Sequence, residues 1–185
     1  WVVDPLDGTT NFAAGIPYWA ISIARFVDGE PSEAFLDIPS LRQRIVAIRG
    51  QGAWRNQKRL TPESRVAAGS SCVSLCSRSI RILQKRPDQS FPGKIRLLGV
   101  ASLNLVSVAM GQTAGALEAT PKIWDLAAAW LVLTELDCPL IWLGPHPAHL
   151  EPGRDLSEMG FPVVAAGSRK QLERLAPWGE FLLKS

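Results

Sequence analysis

Two aspartates stand three positions apart at the start of the chain, in Trp1-Val2-Val3-Asp4-Pro5-Leu6-Asp7-Gly8-Thr9-Thr10-Asn11-Phe12. Carboxylates ligate hard divalent cations, and backbone N–H groups at a helix start hold phosphate oxygens. The local pattern supplies both. Trp1 to Val3 are apolar and read as the end of a buried strand. Asp4 falls where that strand stops, because Pro5 has no N–H and a fixed φ. Asp7-Gly8 then turns the chain, and Thr9, Thr10 and Asn11 are residue types that cap a helix start. One corner can therefore hold both halves of a metal-assisted phosphate reaction. The same residues also make an ordinary turn before an ordinary capped helix, and taken alone that reading is the better one.

Two commoner phosphate motifs are tested first. The loop Gly-x-x-x-x-Gly-Lys-Ser/Thr, whose backbone cradles nucleotide phosphates, is absent. The aspartyl-phosphatase pattern Asp-x-Asp-Gly-Thr needs one residue between its aspartates, and here Pro5 and Leu6 both intervene. That alternative is weakened and stays open.

Asp4-Pro5-Leu6-Asp7-Gly8-Thr9-Thr10-Asn11-Phe12 resembles the first signature of the inositol monophosphatase family, magnesium-dependent and lithium-sensitive phosphomonoesterases. Trp124-Asp125-Leu126-Ala127-Ala128-Ala129 resembles its second, a Trp-Asp followed by small residues that open a helix. Two unlike motifs in the right order are far more specific than either alone. The resemblance implies a layered α+β, or α/β, sandwich of the inositol monophosphatase type, an antiparallel sheet followed by a mixed α/β layer.

By that resemblance Asp4 bridges two cations, Asp7 and the carbonyl of Leu6 ligate one of them, and Asp125 closes it from across the cleft. The implied cofactor is Mg²⁺, and two such ions roughly 4 Å apart can activate a water and stabilise a leaving alkoxide. Thr9 is implied to orient the attacking water, and the N–H groups of Gly8 and Thr9 to hold phosphate oxygens. Gly99-Val100-Ala101-Ser102 resembles a family segment whose backbone reaches the sugar, with Ala101 in the substrate site. Glu118, seven residues before Asp125, matches a glutamate that binds ring hydroxyls, although a strand glutamate is usually just solvated. Asp125 also suits an N-cap, the better explanation were the first motif missing.

The elements around these residues divide the chain. Up to residue 60, short apolar runs separated by Asp28-Gly29 and Asn56-Gln57 turns predict an antiparallel meander. Gly50-x-Gly52-Ala53-Trp54-x-Asn56 also resembles a family hairpin, with Gln57 where the family usually has Gly. A polar stretch with Pro62 puts a boundary near residue 68. We expect residues 1–68 to complete an N-terminal sheet domain, and 69–185 to form an α/β domain carrying Asp125. In the latter, Val73 to Cys76, Lys94 to Leu98, Ala114 to Ala119, Leu140 to Leu143 and Val163 to Ala166 read as strands. Ser102 to Met110, Trp124 to Leu136 and Arg169 to Leu175 read as helices, the first with Leu103, Val106 and Met110 on one face.

The 185 residues are 46% hydrophobic, enough for a real core. A net charge of +3 with pI near 9.0 suits an anionic ligand. Basic residues are dispersed without interleaved aromatics, so the partner expected is a small phosphate ester and not nucleic acid. No apolar run approaches the ~20 residues that cross a bilayer, and no signal-peptide pattern opens the chain. Cys72, Cys76 and Cys138 have no metal-ligand spacing and read as free thiols in a reducing, cytoplasmic setting. Arg78, Arg96 and Lys122 suit a second phosphate or a solvated face equally. His146 and His149, in a Pro-rich loop, read as surface.

The chain departs from the family in ending its second-motif helix with Asp137-Cys138-Pro139 where Gly-Gly is usual. It opens on Trp1 and reads as the C-terminal part of a longer protein, without a further metal-ligating glutamate that the family places upstream. The function implied is hydrolysis of inositol monophosphate, or a related small sugar phosphate, by a homodimer. Thr9-Thr10-Asn11-Phe12 favours the inositol group over sugar bisphosphatases (Ser-Ser-Asn) and phosphoadenosine phosphate phosphatases (Lys-Glu). The alternative is a non-catalytic, dimer-forming remnant, and this chain alone is expected to keep much of the fold and little activity.

Overall fold

A computed structural model of the chain describes residues 1–66, 70–85, 87–144, 146–147 and 153–182. The boundary expected near residue 68 and the loop histidine His149 lie outside the described residues.

The first half is a meander. Strands β1 (Val2–Asp7), β2 (Ala20–Val27), β3 (Glu30–Ile38), β4 (Gln43–Ile48), β5 (Gly52–Arg55) and β6 (Lys58–Leu60) form a six-stranded antiparallel sheet in chain order. Its hairpins follow from the turn residues: Asp28 and Gly29 have φ of 54° and 78°, and Asn56 and Gln57 have 47° and 69°. Paired positive φ values match the twist of the flanking strands. Gln57 thus adopts the conformation for which the family's glycine is suited, while Asn56 Oδ1 accepts the N–H of Arg44 at 2.7 Å.

Alternation along the sheet sends Leu36, Ile38, Ile45, Ala47 and Ala53 into the core. The opposite face carries exposed polar residues, among them Glu33 and Arg44.

The start of the chain differs from the sequence expectation in two ways. Trp1 to Val3 do not end a buried strand: β1 is an edge strand, with Trp1 77% and Val3 48% exposed. Nor does the strand stop at Asp4. It runs to Asp7 through a bulge, since Asp4 pairs with Ser22 and Asp7 with Ala20, three steps on one strand against two on the other. Pro5 sits inside that bulge on an edge, where its missing N–H costs no ladder bond.

The second half is mixed. Strands β7 (Cys72–Leu75), β8 (Lys94–Arg96), β9 (Gly115–Glu118), β10 (Leu140–Trp142) and β11 (Val163–Ala166) form a sheet ordered β10-β11-β9-β7-β8. Its β7–β8 and β7–β9 pairs are parallel, and the others antiparallel. Both faces are covered. Ala116, Val163 and Ala165 point into one core cluster, while Leu117, Val164 and Ala166 point into another.

The helices are α1 (Thr9–Ala13), α2 (Pro62–Val66), α3 (Arg81–Gln84), α4 (Ala101–Ala109), α5 (Ile123–Glu135) and α6 (Arg169–Gly179). α4 and α5 fill the space between the sheets and share a core with both, and α6 covers the far face of the second sheet. The order of layers is sheet, helices, sheet, helix. Every residue of α4 from Ser102 to Ala109 is buried. The one-sided apolar face expected there understates this, because a helix between two sheets has no wet side. Glu135, at the end of α5, accepts the N–H groups of Gly50 and Gly52 at 2.8 Å each and pins the β4–β5 turn.

Gly8 joins β1 to α1 with φ 89°, and it, not a Thr or Asn side chain, is the N-cap of α1. A Cβ there would lie 2.8 Å from Val100 Cγ2 and 3.3 Å from both Trp19 Cβ and Tyr18 O. Left-handed backbone costs an L-residue ~1–2 kcal/mol before any clash. Gly8→Ala is therefore expected to destabilise the chain by about 2 kcal/mol or more, lowering Tm by roughly 5 °C in a thermal melt. An unchanged Tm would show that the corner can relax around a side chain.

Candidate metal centre

The bulge in β1, the turn at Gly8 and the start of α5 bring three aspartates together. Carboxylate oxygens of Asp4, Asp7 and Asp125 lie within 4.8 Å of one another, although Asp125 is more than a hundred residues downstream. Each carboxylate receives a backbone N–H. Asp4 Oδ1 accepts from Leu6 at 3.0 Å, inside the bulge. Asp7 Oδ2 accepts from Ser102 at 2.8 Å, in the first turn of α4. Asp125 Oδ2 accepts from Lys122 at 2.7 Å, which caps the start of α5 from the third helical position. Helix starts supply free N–H groups and a positive dipole end, both suited to a carboxylate.

Three residues align these elements through bonds that sequence reasoning did not assign. Asn11 donates both amide protons, to Tyr18 O at 2.9 Å and to Leu98 O at 2.8 Å, tying α1 to the segment before α4. Ser22, the strand partner of Asp4, donates from its hydroxyl to Trp124 O at 3.3 Å, beside Asp125. The Ser102 amide is the Asp7 partner already described. An Asn three residues into a helix hints at a side-chain-to-backbone tie; the other two carry no local signal.

The cluster is electrostatically unfavourable as it stands. Burial is the main cause that raises the pKa of Asp125 to about 7, and the charges of Asp7 and Asp4 add to it. Asp7, 7% exposed, is also raised, first by burial and then by Asp4, against the lowering effect of its Ser102 hydrogen bonds. Tyr18 is pushed up by burial and by Asp7. None of the described ion pairs supplies a Lys or Arg to the three aspartates.

The remaining sequence candidates fall around this corner. Leu6 lies in the bulge between the two aspartates, and Thr9 is exposed in the first turn of α1. Ala101 opens α4, next to the amide that holds Asp7. Glu118 ends β9 and is only 2% exposed, which removes the solvated-strand explanation. Its carboxyl is raised to about 8, chiefly by burial, with Asp7 and Asp125 contributing. Asn104 Nδ2 donates to it at 2.7 Å.

Other candidates are engaged elsewhere. Arg78 donates to Thr120 Oγ1 at 2.7 Å, Arg96 to Ile95 O at 2.9 Å and Lys122 Nζ to Ser157 O at 2.6 Å. His146 is exposed and packs edge-on against Trp130 and Trp142, at 5.7 and 5.0 Å between ring centroids. Cys72, Cys76 and Cys138 form no disulfide among the described residues, and Cys138 is buried. No helix among the described residues is long and apolar enough to cross a membrane.

Known proteins are similar to this chain in sequence and in fold. The family model "Inositol monophosphatase family" matches residues 1–177. An inositol-1-monophosphatase of Rhizobium meliloti is 36% identical over 142 residues, 73% of this chain. The chain spans about half the length of the curated relatives it matches, 53% of that one. The crystal structure of inositol monophosphate-bound SaIMPase-II superposes with a TM-score of 0.78 at 25% identity, over all of this chain and 73% of the other. An IMPase/NADP phosphatase crystallised with NADP and Ca²⁺ superposes at 0.74 with 26% identity, over 94% of this chain and 66% of that one. The paired motifs, the layered fold and the match along residues 1–177 have one conclusion: the chain belongs to the inositol monophosphatase family.

Proposed function

We propose that this chain carries the metal corner and substrate floor of a Mg²⁺-dependent phosphatase acting on inositol monophosphate or a related small sugar phosphate. The observation that carries the reading is the convergence of Asp4, Asp7 and Asp125 within 4.8 Å. Three hard oxygen donors, with two of the carboxyls raised by burial and mutual charge, form a donor set that a hard divalent cation neutralises. Their N–H partners are uncharged, so the cluster keeps its negative charge for a cation. Solved relatives with inositol monophosphate, or with NADP and Ca²⁺, support the same class of ligand.

In this reading Asp4, Asp7, Asp125 and the Leu6 carbonyl would hold Mg²⁺. When bound, the cation supplies positive charge for an attacking water and for the leaving oxygen of the ester. The chain's own groups do the positioning. Thr9 directs a water through its hydroxyl, and the N–H groups of Gly8 and Thr9 face phosphate oxygens at the start of α1. Ala101 lines the substrate site at the start of α4, and Glu118 accepts hydrogen bonds from polyol hydroxyls. Arg78 and Lys122 already serve Thr120 and Ser157, which favours a monophosphate over a bisphosphate. The ester is taken as a small molecule, with no nucleic acid and with a second copy of the chain as partner.

Asp125→Asn keeps the shape of the side chain and removes one anionic ligand. Loss of an outer partner of a metal ligand costs 10–100-fold, so loss of a ligand is expected to cost at least about 100-fold. Both the Mg²⁺ affinity, read by calorimetry, and the release of phosphate from inositol monophosphate should fall by that much. Wild-type Mg²⁺ binding by the variant would sink the assignment.

A second expectation concerns pH. Asp7, Asp125 and Glu118 all have folded pKa values above their ordinary carboxylate values, the last two at about 7 and about 8. The folded state therefore binds protons more tightly than the unfolded state. The stability this confers is complete below about pH 4 and is lost as pH rises through 7 to 8. Without metal, Tm should fall between pH 5 and 8.5, and added Mg²⁺ should raise it most at the alkaline end. A Tm that climbs over that range in metal-free buffer would contradict the electrostatic picture of the cluster.

A further inference from the structure

We propose that Asn104 is a positioning residue for substrate recognition: its side-chain amide donates to Glu118 and keeps that carboxyl an acceptor for a polyol hydroxyl. The inference rests on the reading of Glu118 as the group that meets substrate hydroxyls.

Asn104 Nδ2 lies 2.7 Å from Glu118 Oε1, and the two residues are 1% and 2% exposed. So little exposed surface leaves Glu118 no room to swing toward a ligand, so its hydrogen-bonding polarity must be set beforehand. A carboxylate only accepts, whereas a protonated carboxyl also donates. An amide that presents N–H to Oε1 stabilises the accepting, ionised form and disfavours the neutral one. The surroundings act the other way. Burial, Asp7 from β1 and Asp125 from α5 raise the carboxyl to about 8, and Asn104 and the Cys76 thiol, which follows β7, act against them and bring the accepting form closer to neutral pH.

Asn104 is also an uneconomical choice for packing alone. Its Oδ1 is buried with no hydrogen-bond partner among the described residues, a desolvation cost that an apolar side chain of similar shape would avoid. Its backbone is fixed as well: Ser107 Oγ donates to Asn104 O at 2.7 Å and pairs with Thr113 Oγ1 at 2.8 Å. Two residues earlier on α4, the Ser102 N–H holds Asp7. One helix thus registers a cluster carboxylate and the polyol-reading carboxylate against each other.

The test uses Asn104→Leu, which keeps the size and removes the donor, and Asn104→Asp, which keeps the shape and places a second carboxyl there. Glu118→Gln is the reference. The titration of Glu118 is followed by its carboxyl C=O band in infrared difference spectra against Glu118→Gln. Binding of myo-inositol 1-phosphate and of inorganic phosphate is measured by calorimetry in Mg²⁺.

The proposal expects the Glu118 midpoint to move up in both Asn104 variants. It also expects Asn104→Leu to weaken the inositol phosphate about tenfold while leaving inorganic phosphate unchanged. An unmoved midpoint in both variants overturns it, since a merely structural asparagine would not tune the carboxyl. If Glu118→Gln weakens both probes equally, the reading of Glu118 falls and this inference with it. Selective weakening in Glu118→Gln but not in Asn104→Leu overturns the inference alone.

Discussion

Three carboxylates held within 4.8 Å repel one another, by about 3 kcal/mol per ionised pair at the effective dielectric typical of protein sites. The rest of the chain is arranged around that constraint. The offset comes from backbone amides, one to each carboxylate, from the bulge at Leu6, the start of α4 at Ser102 and the start of α5 at Lys122. Neutral donors suit the task better than lysines. They orient the oxygens without cancelling the charge, whereas a cationic side chain would cancel it. The layered fold then has a specific job, since one sheet edge and two helix starts must meet at one point.

That requirement explains the middle layer. α4, buried from Ser102 to Ala109, and α5, with eight of its 13 residues buried, lie between the sheets, which fixes their N-termini relative to β1. Ser22 to Trp124 and Asn11 to Leu98 then set the alignment at the level of single hydrogen bonds. Burial supplies rigidity over the whole layer, and these short ties convert it into placement of particular oxygens.

Much of this was legible in the sequence, for reasons that differ by residue. The convergence of Asp4, Asp7 and Asp125 was readable because two motifs of fixed residue types and local spacings occur together. The meander was readable from Asp-Gly and Asn-x turns between alternating runs. The path of β1 was not, because Pro5 ends most strands and only an edge position with a bulge lets the chain continue. The N-cap was misplaced onto Thr and Asn since they usually do that work; Gly8 takes it because φ 89° in tight quarters admits no side chain. The bonds made by Ser22, Asn104 and Ser102 were not readable, because their partners lie 102, 14 and 95 residues away and no local pattern marks them.

The bond from Asn11 to Leu98 spans 87 residues, and the one from Ser102 to Asp7 spans 95. Contacts of that span reward the chain only after the intervening loop has been closed. The meander can form from neighbours in sequence, but the corner that precedes it cannot. During synthesis Asp4 and Asp7 emerge well before Ser102 and Asp125, and the corner closes once α4 and α5 have left the ribosome. The corner is thus finished only after the meander that follows it.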